Sequence, residues 1–210
     1  MEQPLVTCIM PTANRKEFVS AAIDNFLKQD YPNAELVIID DGIESCIDII
    51  PDKPNIRYFY SKPLGTIGIK RNVACEKANG KFIIHWDDDD WYAPDWISQQ
   101  TEALLASKAD ITGLGEVIFY SLTQSFGYAG TDENGRWLCG ATIAYKKKLW
   151  SQYPFSNLQI GEDTDFLLNS GGKIFVLNYL NGFKALIHDK NTSIRFLENM
   201  NTITWEVLNS

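Results

Sequence analysis

The sequence predicts an α/β fold with a mainly parallel central sheet and helices on both faces. Three observations carry the prediction: short continuous apolar runs alternate with segments of helical period, polar clusters follow directly on three of the runs, and Asn, Gly and Pro mark the boundaries. Leu5–Met10 is the first apolar run, and Pro11-Thr12-Ala13-Asn14-Arg15 follows as a turn. Lys16 to about Gln29 carries Val19, Ile23, Phe26 and Leu27 at helical spacing. Tyr31-Pro32-Asn33 ends that helix, and Glu35–Ile39 is a second strand running into Asp40-Asp41-Gly42. Ile56–Tyr60 is a third, short and rich in β-formers. Thr66 can cap a helix through about Ala78, where Asn79-Gly80 is a stop signal. Lys81–Trp86 is a fourth strand that ends in Asp87-Asp88-Asp89-Asp90, and Pro94 suits the first turn of a helix reaching Ser107. In the second half, Ile111–Tyr120 and Ala141–Tyr145 read as strands, Glu162–Asn169 as a helix, and Ile174–Leu180 with Phe183–His188 as a strand pair. Ser193–Leu208 reads as a helix packed on the domain.

Composition narrows the function classes. The 210 residues fit one domain with a substantial core, and 45% apolar against 22% charged residues exclude a disordered chain. No apolar run approaches the roughly 18–20 residues of a membrane span, and MEQPLVTCIM does not read as a signal peptide. With 19 Lys+Arg against 27 Asp+Glu the net charge is −8, so no general cationic field exists to displace counterions from nucleic acid. One local phosphate site remains compatible with that balance. Cys8, Cys46, Cys75 and Cys139 are scattered without a C-x-x-C, which predicts reduced thiols in a cytoplasmic protein.

In parallel sheets ligands bind beyond the carboxyl ends of strands. Pro11–Arg15, Asp40-Asp41-Gly42 and Asp87–Asp90 each follow a strand, so three strand ends present polar groups along one rim. The run of four carboxylates needs an offset, because two ionised carboxylates about 5 Å apart repel by roughly 3 kcal/mol at an effective dielectric of 20. A divalent cation with hard oxygen ligands, Mg²⁺ or Mn²⁺, supplies one. A solvated acidic turn is the alternative, but the run is boxed by Trp86, Trp91 and Trp96. An EF-hand loop would need a glycine at its sixth position.

Pro11–Arg15, Ile39-Asp40-Asp41-Gly42, Gly65-x-x-x-x-Lys70-Arg71-Asn72 and Asp87–Asp90 with Trp91 and Pro94 occur in register with the strands over about residues 4–100. Together they resemble the family 2 inverting glycosyltransferases of GT-A fold, and Gly161-Glu162-Asp163 adds a further match. The resemblance implies a nucleotide-sugar donor, most often a UDP-sugar, and Mn²⁺ or Mg²⁺. It places Pro11, Thr12 and Arg15 at the nucleotide, Asp41 at the base, and Arg71 beside base or phosphates. Within the family's D-x-D pattern it assigns Asp87 and Asp88 to ribose or donor sugar and Asp89 to the metal, with Asp88-Asp89-Asp90 as a second register. Asp163 becomes the general base that deprotonates an acceptor hydroxyl, with Glu162 beside it, and the start of a helix favours its ionised form. Helix capping is the alternative reading of that pair. His188 is a candidate to complete the metal site, whereas His85, inside a strand, reads as core.

Trp91 and Trp137 are the aromatic candidates for acceptor or sugar stacking, and Gly140 lies where the family places such contacts. Gly130–Gly135 reads as a mobile loop. Lys146-Lys147-Lys148 reads as a solvated helix start, the alternative being contact with an anionic lipid-linked acceptor at a membrane surface. The Asn191-Thr192-Ser193 sequon, without a secretory signal, is chance. The expectation is a single domain over 1–210, with a nucleotide-binding half (1–100) and an acceptor and catalytic half (101–210), acting on a glycan or lipid-linked acceptor. Two departures stand out: the chain is short for the family, and Gly42-Ile43-Glu44-Ser45 replaces the usual small polar run after Asp41. A carbohydrate or nucleotide-sugar binding module without turnover is the rival reading. A nucleotidyltransferase ranks last, because Pro11–Arg15 lacks the glycines of a phosphate-cradling loop.

Overall fold

Seven strands form the larger of two sheets among the described residues, and five form the smaller. The structure, a computed structural model, describes residues 3–120, 125–129, 137–188, 191 and 201–202. In chain order the elements are β1 (Val6–Thr12), α1 (Lys16–Leu27), β2 (Ala34–Asp40), β3 (Ile56–Tyr60), α2 (Ile67–Lys77), β4 (Phe82–His85), β5 (Trp91–Tyr92) and α3 (Trp96–Ser107). They continue with β6 (Ile111–Leu114), β7 (Glu116–Tyr120), β8 (Ser125–Ala129), β9 (Ala144–Lys146), α4 (Lys147–Gln152), α5 (Glu162–Asn169), β10 (Ile174–Leu177), β11 (Phe183–Leu186) and β12 (Asn201–Thr202). The larger sheet has the order β10-β6-β9-β4-β1-β2-β3 and is parallel except at β9, which runs antiparallel to both neighbours.

Every residue of β2 is buried, as is all of β4, which is why these strands read as unbroken apolar runs. Alternation along the strands sorts their side chains into two cores. Val6, Cys8, Met10, Leu36 and Ile38 pack on α1 and α3, while Ile9, Val37, Ile39 and Ile83 face α2, α4 and α5 on the opposite side. Pro11 sits in β1 opposite Ile39, but the β1–β4 ladder ends at Ile9 and His85, so its missing N–H interrupts nothing. At the start of α2, Thr66 Oγ1 accepts from the Ile69 N–H at 3.4 Å, and Ala78 is the C-cap.

Three expectations for the second half are corrected. The apolar run Ile111–Tyr120 is two strands, β6 in the larger sheet and β7 in the smaller. Leu114 N–H is taken by Thr142 Oγ1 at 2.9 Å as the chain leaves one sheet for the other. Ile174–Leu180 and Phe183–His188 are not a pair: β10 lies parallel to β6, whereas β11 lies between β7 and β5. A turn at Leu180–Gly182 carries the chain between sheets, with the Tyr179 ring packed on the Gly182 Cα where a Cβ would meet it at 2.4 Å. The tail is not one helix over Ser193–Leu208, because Asn201 and Thr202 pair with β8. The β-branched Thr202 suits extended backbone there. The remainder of that tail, Gly130–Gly135, and Thr192 and Ser193 of the sequon lie outside the described residues. Among the described residues no helix is long and apolar enough to cross a membrane.

Candidate functional site

The rim at the carboxyl ends of β1 and β4 is one wall of a cavity of about 650 Å³, and the loop before α5, with α5 itself, is the opposite wall. Pro11, Thr12, Arg15, Arg71, Asp87, Asp88, Asp89, Gly140, Glu162, Asp163 and His188 all line it. Eleven of the site residues expected from sequence therefore meet in one place, although they come from six separate segments.

Each carboxylate of the acidic run has its own partner. Thr12 Oγ1 donates to Asp88 Oδ2 at 2.6 Å, and Arg15 Nε stands 3.4 Å from Asp88 Oδ1. Arg15 Nη2 also donates to Asp89 Oδ2, which receives a further hydrogen bond from Asn191 Nδ2 at 3.1 Å. Asp90 Oδ1 accepts the Leu186 N–H at 3.1 Å, and Asp87 Oδ1 is 3.6 Å from Arg71 Nη2. Two arginines thus supply part of the charge offset that the sequence reading assigned to a cation alone. Burial still dominates at Asp88, which is 4% exposed: it pushes the carboxyl up to about 7 against the pull of Arg15 and Thr12. Asp87 is raised for the same reason, against Arg71.

On the opposite wall Arg71, 5% exposed, donates through Nη1 to Glu162 Oε1. Burial alone would lower the Arg71 pKa, and Glu162 and Asp87 more than reverse this. Arg71 Nε finds no acceptor among the described residues. Gly161 adopts φ +85° as the N-cap of α5, which brings Glu162 inward and sets Asp163 half-buried at the cavity. Asp163 Oδ1 accepts the Thr164 N–H at 2.7 Å.

Asp89 and His188 offer the donor set that bears on a metal. His188 Nε2 is 2.9 Å from Asp89 Oδ2, and its ring stacks on Phe18 at 4.6 Å. Among the described residues no group of three or more His, Cys, Asp or Glu side chains converges as a complete metal cage. A carboxylate oxygen beside an imidazole nitrogen nevertheless fits a cation that takes its other ligands from a bound diphosphate and water.

Three expected residues fall elsewhere. Asp41 is buried beneath Lys70, with Oδ1 2.6 Å from Lys70 Nζ and Oδ2 accepting the Leu64 N–H at 2.9 Å, so Lys70 and not Asp41 faces the cavity. Trp91, 37% exposed, lines a second cavity of about 330 Å³ behind Asp88–Asp90, with Tyr120 and Lys184. The physical reason is alternation on β5: Tyr92 turns into the core, where its hydroxyl accepts the Asp87 N–H at 2.9 Å, so Trp91 must turn the other way. Trp137 packs half-buried against the larger core and lines neither cavity. Lys70 and Asn191 are the lining residues to which sequence reasoning gave no role at the site. Lys70 was visible within the motif; nothing local marked Asn191 as a partner of Asp89.

His85 lies directly behind this cavity and is 1% exposed. Its Nδ1 is 2.7 Å from the Gly140 carbonyl oxygen, and because a carbonyl only accepts, Nδ1 carries the proton. Burial, aided by Arg71, holds its pKa well below the usual value. The unfolded chain therefore takes up this proton first as pH falls, and stability present above about pH 6.5 is lost below it. We expect wild type to lose up to about 1.4 kcal/mol per pH unit from this group on the acid side. Urea melts at pH 7 and 5 should show a smaller acid loss in His85→Gln; equal losses would clear His85 as the cause.

Comparison with known proteins gives the family and the fold. The model of the family described as "Glycosyl transferase family 2" matches residues 7–153, more than half of the chain. An uncharacterized glycosyltransferase of Haemophilus influenzae is 32% identical over 117 residues, covering 53% of this chain and 47% of that one. The chain spans less than half the length of the curated relatives it matches. Among solved structures, S. aureus TarS 1–349 in complex with UDP superposes with a TM-score of 0.72 at 20% identity, covering 87% of this chain and 60% of that one. The mannosyltransferase PcManGT from Pyrobaculum calidifontis, in complex with GDP-Man and Mn²⁺, gives 0.67 at 16% identity, covering 89% and 57%. These structures share the fold, and the family match settles the kinship: the chain is a glycosyltransferase domain that belongs to glycosyl transferase family 2.

Proposed function

We propose that this domain transfers a sugar, with inversion, from a nucleotide-diphosphate sugar to an acceptor hydroxyl, with Asp163 as the general base. The observation that carries the reading is the meeting of Asp163, the acidic run, the buried Arg71 and the half-buried Arg15 in one cavity. The acceptor oxygen forms its bond to the anomeric carbon as the bond to the diphosphate oxygen breaks. Asp163 takes the hydroxyl proton, and the electron pair leaves with the diphosphate. Arg71, anchored by Glu162, and Arg15, across the cavity, are the cations suited to that departing charge. Asp89 and His188 would hold Mn²⁺ or Mg²⁺, which when bound neutralises charge on the leaving diphosphate.

A UDP-sugar is the first candidate donor. TarS is a structural neighbour in complex with UDP and, in another structure, UDP-GlcNAc, while the GDP-Man complex of PcManGT makes a GDP-sugar the competitor. In this reading residues 1–100 hold most of the donor and 101–210 the acceptor, a glycan or lipid-linked hydroxyl. The four free buried cysteines fit a reducing, cytoplasmic setting.

The test is calorimetric titration of UDP and GDP, each with and without Mn²⁺, into wild type and Asp89→Ala. We expect UDP binding that weakens at least about tenfold when either Mn²⁺ or the Asp89 carboxylate is absent. Binding of GDP alone would reassign the nucleotide. Failure of both to bind would sink the reading and leave a family 2 fold without donor chemistry.

A further inference from the structure

Gly140 opens a one-turn 3-10 segment, Gly140–Thr142, that forms the floor of the cavity beneath Asp163. The segment is fixed by buried groups. His85 Nδ1 donates to the Gly140 carbonyl at 2.7 Å, Tyr92 Oη to that of Ala141 at 3.2 Å, and Gln100 Nε2 to that of Thr142 at 2.7 Å. Thr142 Oγ1 closes the turn on the Cys139 carbonyl at 2.7 Å. Gly140 is not among the residues with positive φ, so its backbone conformation does not require glycine.

What requires glycine is the space in front of it. A Cβ on Gly140 would stand 1.6 Å from Asp163 Oδ2 and 2.6 Å from its Cγ, far inside the closest approach of real side chains. The carboxylate therefore lies flat against the turn on one side. Thr164 N–H holds its other oxygen at 2.7 Å. The two contacts set the carboxylate against the turn, with its remaining side toward the cavity.

We infer that Gly140 is a positioning residue whose missing side chain sets the place from which Asp163 takes its proton. The inference rests on Asp163 being the general base. A methyl group at Gly140 must drive the carboxylate back by more than an ångström or move a turn that His85, Tyr92 and Gln100 hold in place. A displacement of about 1 Å at a reacting group is enough to lower turnover on the order of 10²-fold.

The test is Gly140→Ala, alone and combined with Asp163→Ala, with turnover read as UDP or GDP release across a panel of UDP- and GDP-sugars. We expect kcat to fall on the order of 10²-fold while KM for the donor stays within about threefold. In the Asp163→Ala background the same change should cost no further activity. Thermal unfolding supplies a readout independent of turnover. The loss of melting temperature caused by Gly140→Ala in wild type should be smaller when the same change is made in Asp163→Ala, because methyl and carboxylate compete for one volume. Near-normal turnover of Gly140→Ala, a loss of turnover that persists in the Asp163→Ala background, or an equal loss of melting temperature in both backgrounds would each overturn the inference. If Asp163→Ala alone kept wild-type turnover, the base assignment would fall first and the inference with it.

Discussion

Asp163→Asn should bring sugar transfer down by about 10²- to 10⁴-fold, the range in which a positioned general base contributes. The substitution is nearly isosteric. Its amide oxygen can keep the Thr164 N–H contact while its amide nitrogen takes the place of Oδ2 beside Gly140, so the cavity retains its shape. What disappears is the capacity to receive a proton from the attacking hydroxyl. Nucleotide affinity in the presence of Mn²⁺, measured by calorimetry, should stay within about threefold of wild type. A loss confined to kcat separates a base from a binding group, since uniform binding would appear in KM. Turnover equal to wild type would remove Asp163 from the chemistry and favour simple capping of α5.

Arg71→Ala should be the most damaging single change to stability. The guanidinium is buried between Glu162 and Asp87, and its removal strands two carboxylates that burial already pushes toward the neutral form. Breaking a buried ion pair from one side costs about 3–5 kcal/mol. For a chain of this length that corresponds to roughly 10 °C or more in melting temperature. Arg71→Met/Glu162→Met, which removes both partners, should recover much of the loss, because neither charge is then left alone. Chemical denaturation of the three proteins at pH 7 decides the matter. A deficit under about 1 kcal/mol in Arg71→Ala would mean that solvent screens the pair.

The first half of the fold was readable because a parallel sheet buried on both faces leaves uninterrupted apolar runs, as in β2 and β4. The same property hid the second half. Ile111–Tyr120 is apolar throughout, yet it serves two sheets, and hydrophobicity carries no record of which neighbour a strand takes. β5 was missed because two residues are too few to show a period, and with it went the orientation of Trp91. At the site, strand-end polar clusters marked Thr12, Arg15 and Asp87–Asp90, all of which line the larger cavity. Their partners were not legible. That Lys70 covers Asp41, or that Asn191 reaches Asp89, depends on contacts across 29 and 102 positions of sequence. The family match itself ends at residue 153; Glu162, Asp163 and His188 lie beyond it, and the folded chain brings them to the cavity.

Arg15 and His188 are 173 positions apart in sequence, yet Arg15 Nη2 and His188 Nε2 stand 3.4 Å from each other. Such contacts form only after long loops close, which places this topology among the slower folders. Until His188 and Asn191 arrive, the acidic run has Arg15 and Arg71 as its cationic partners and is short of its full set. A nascent chain emerging from the ribosome therefore carries Asp87–Asp90 for some hundred residues of synthesis before its last partner exists.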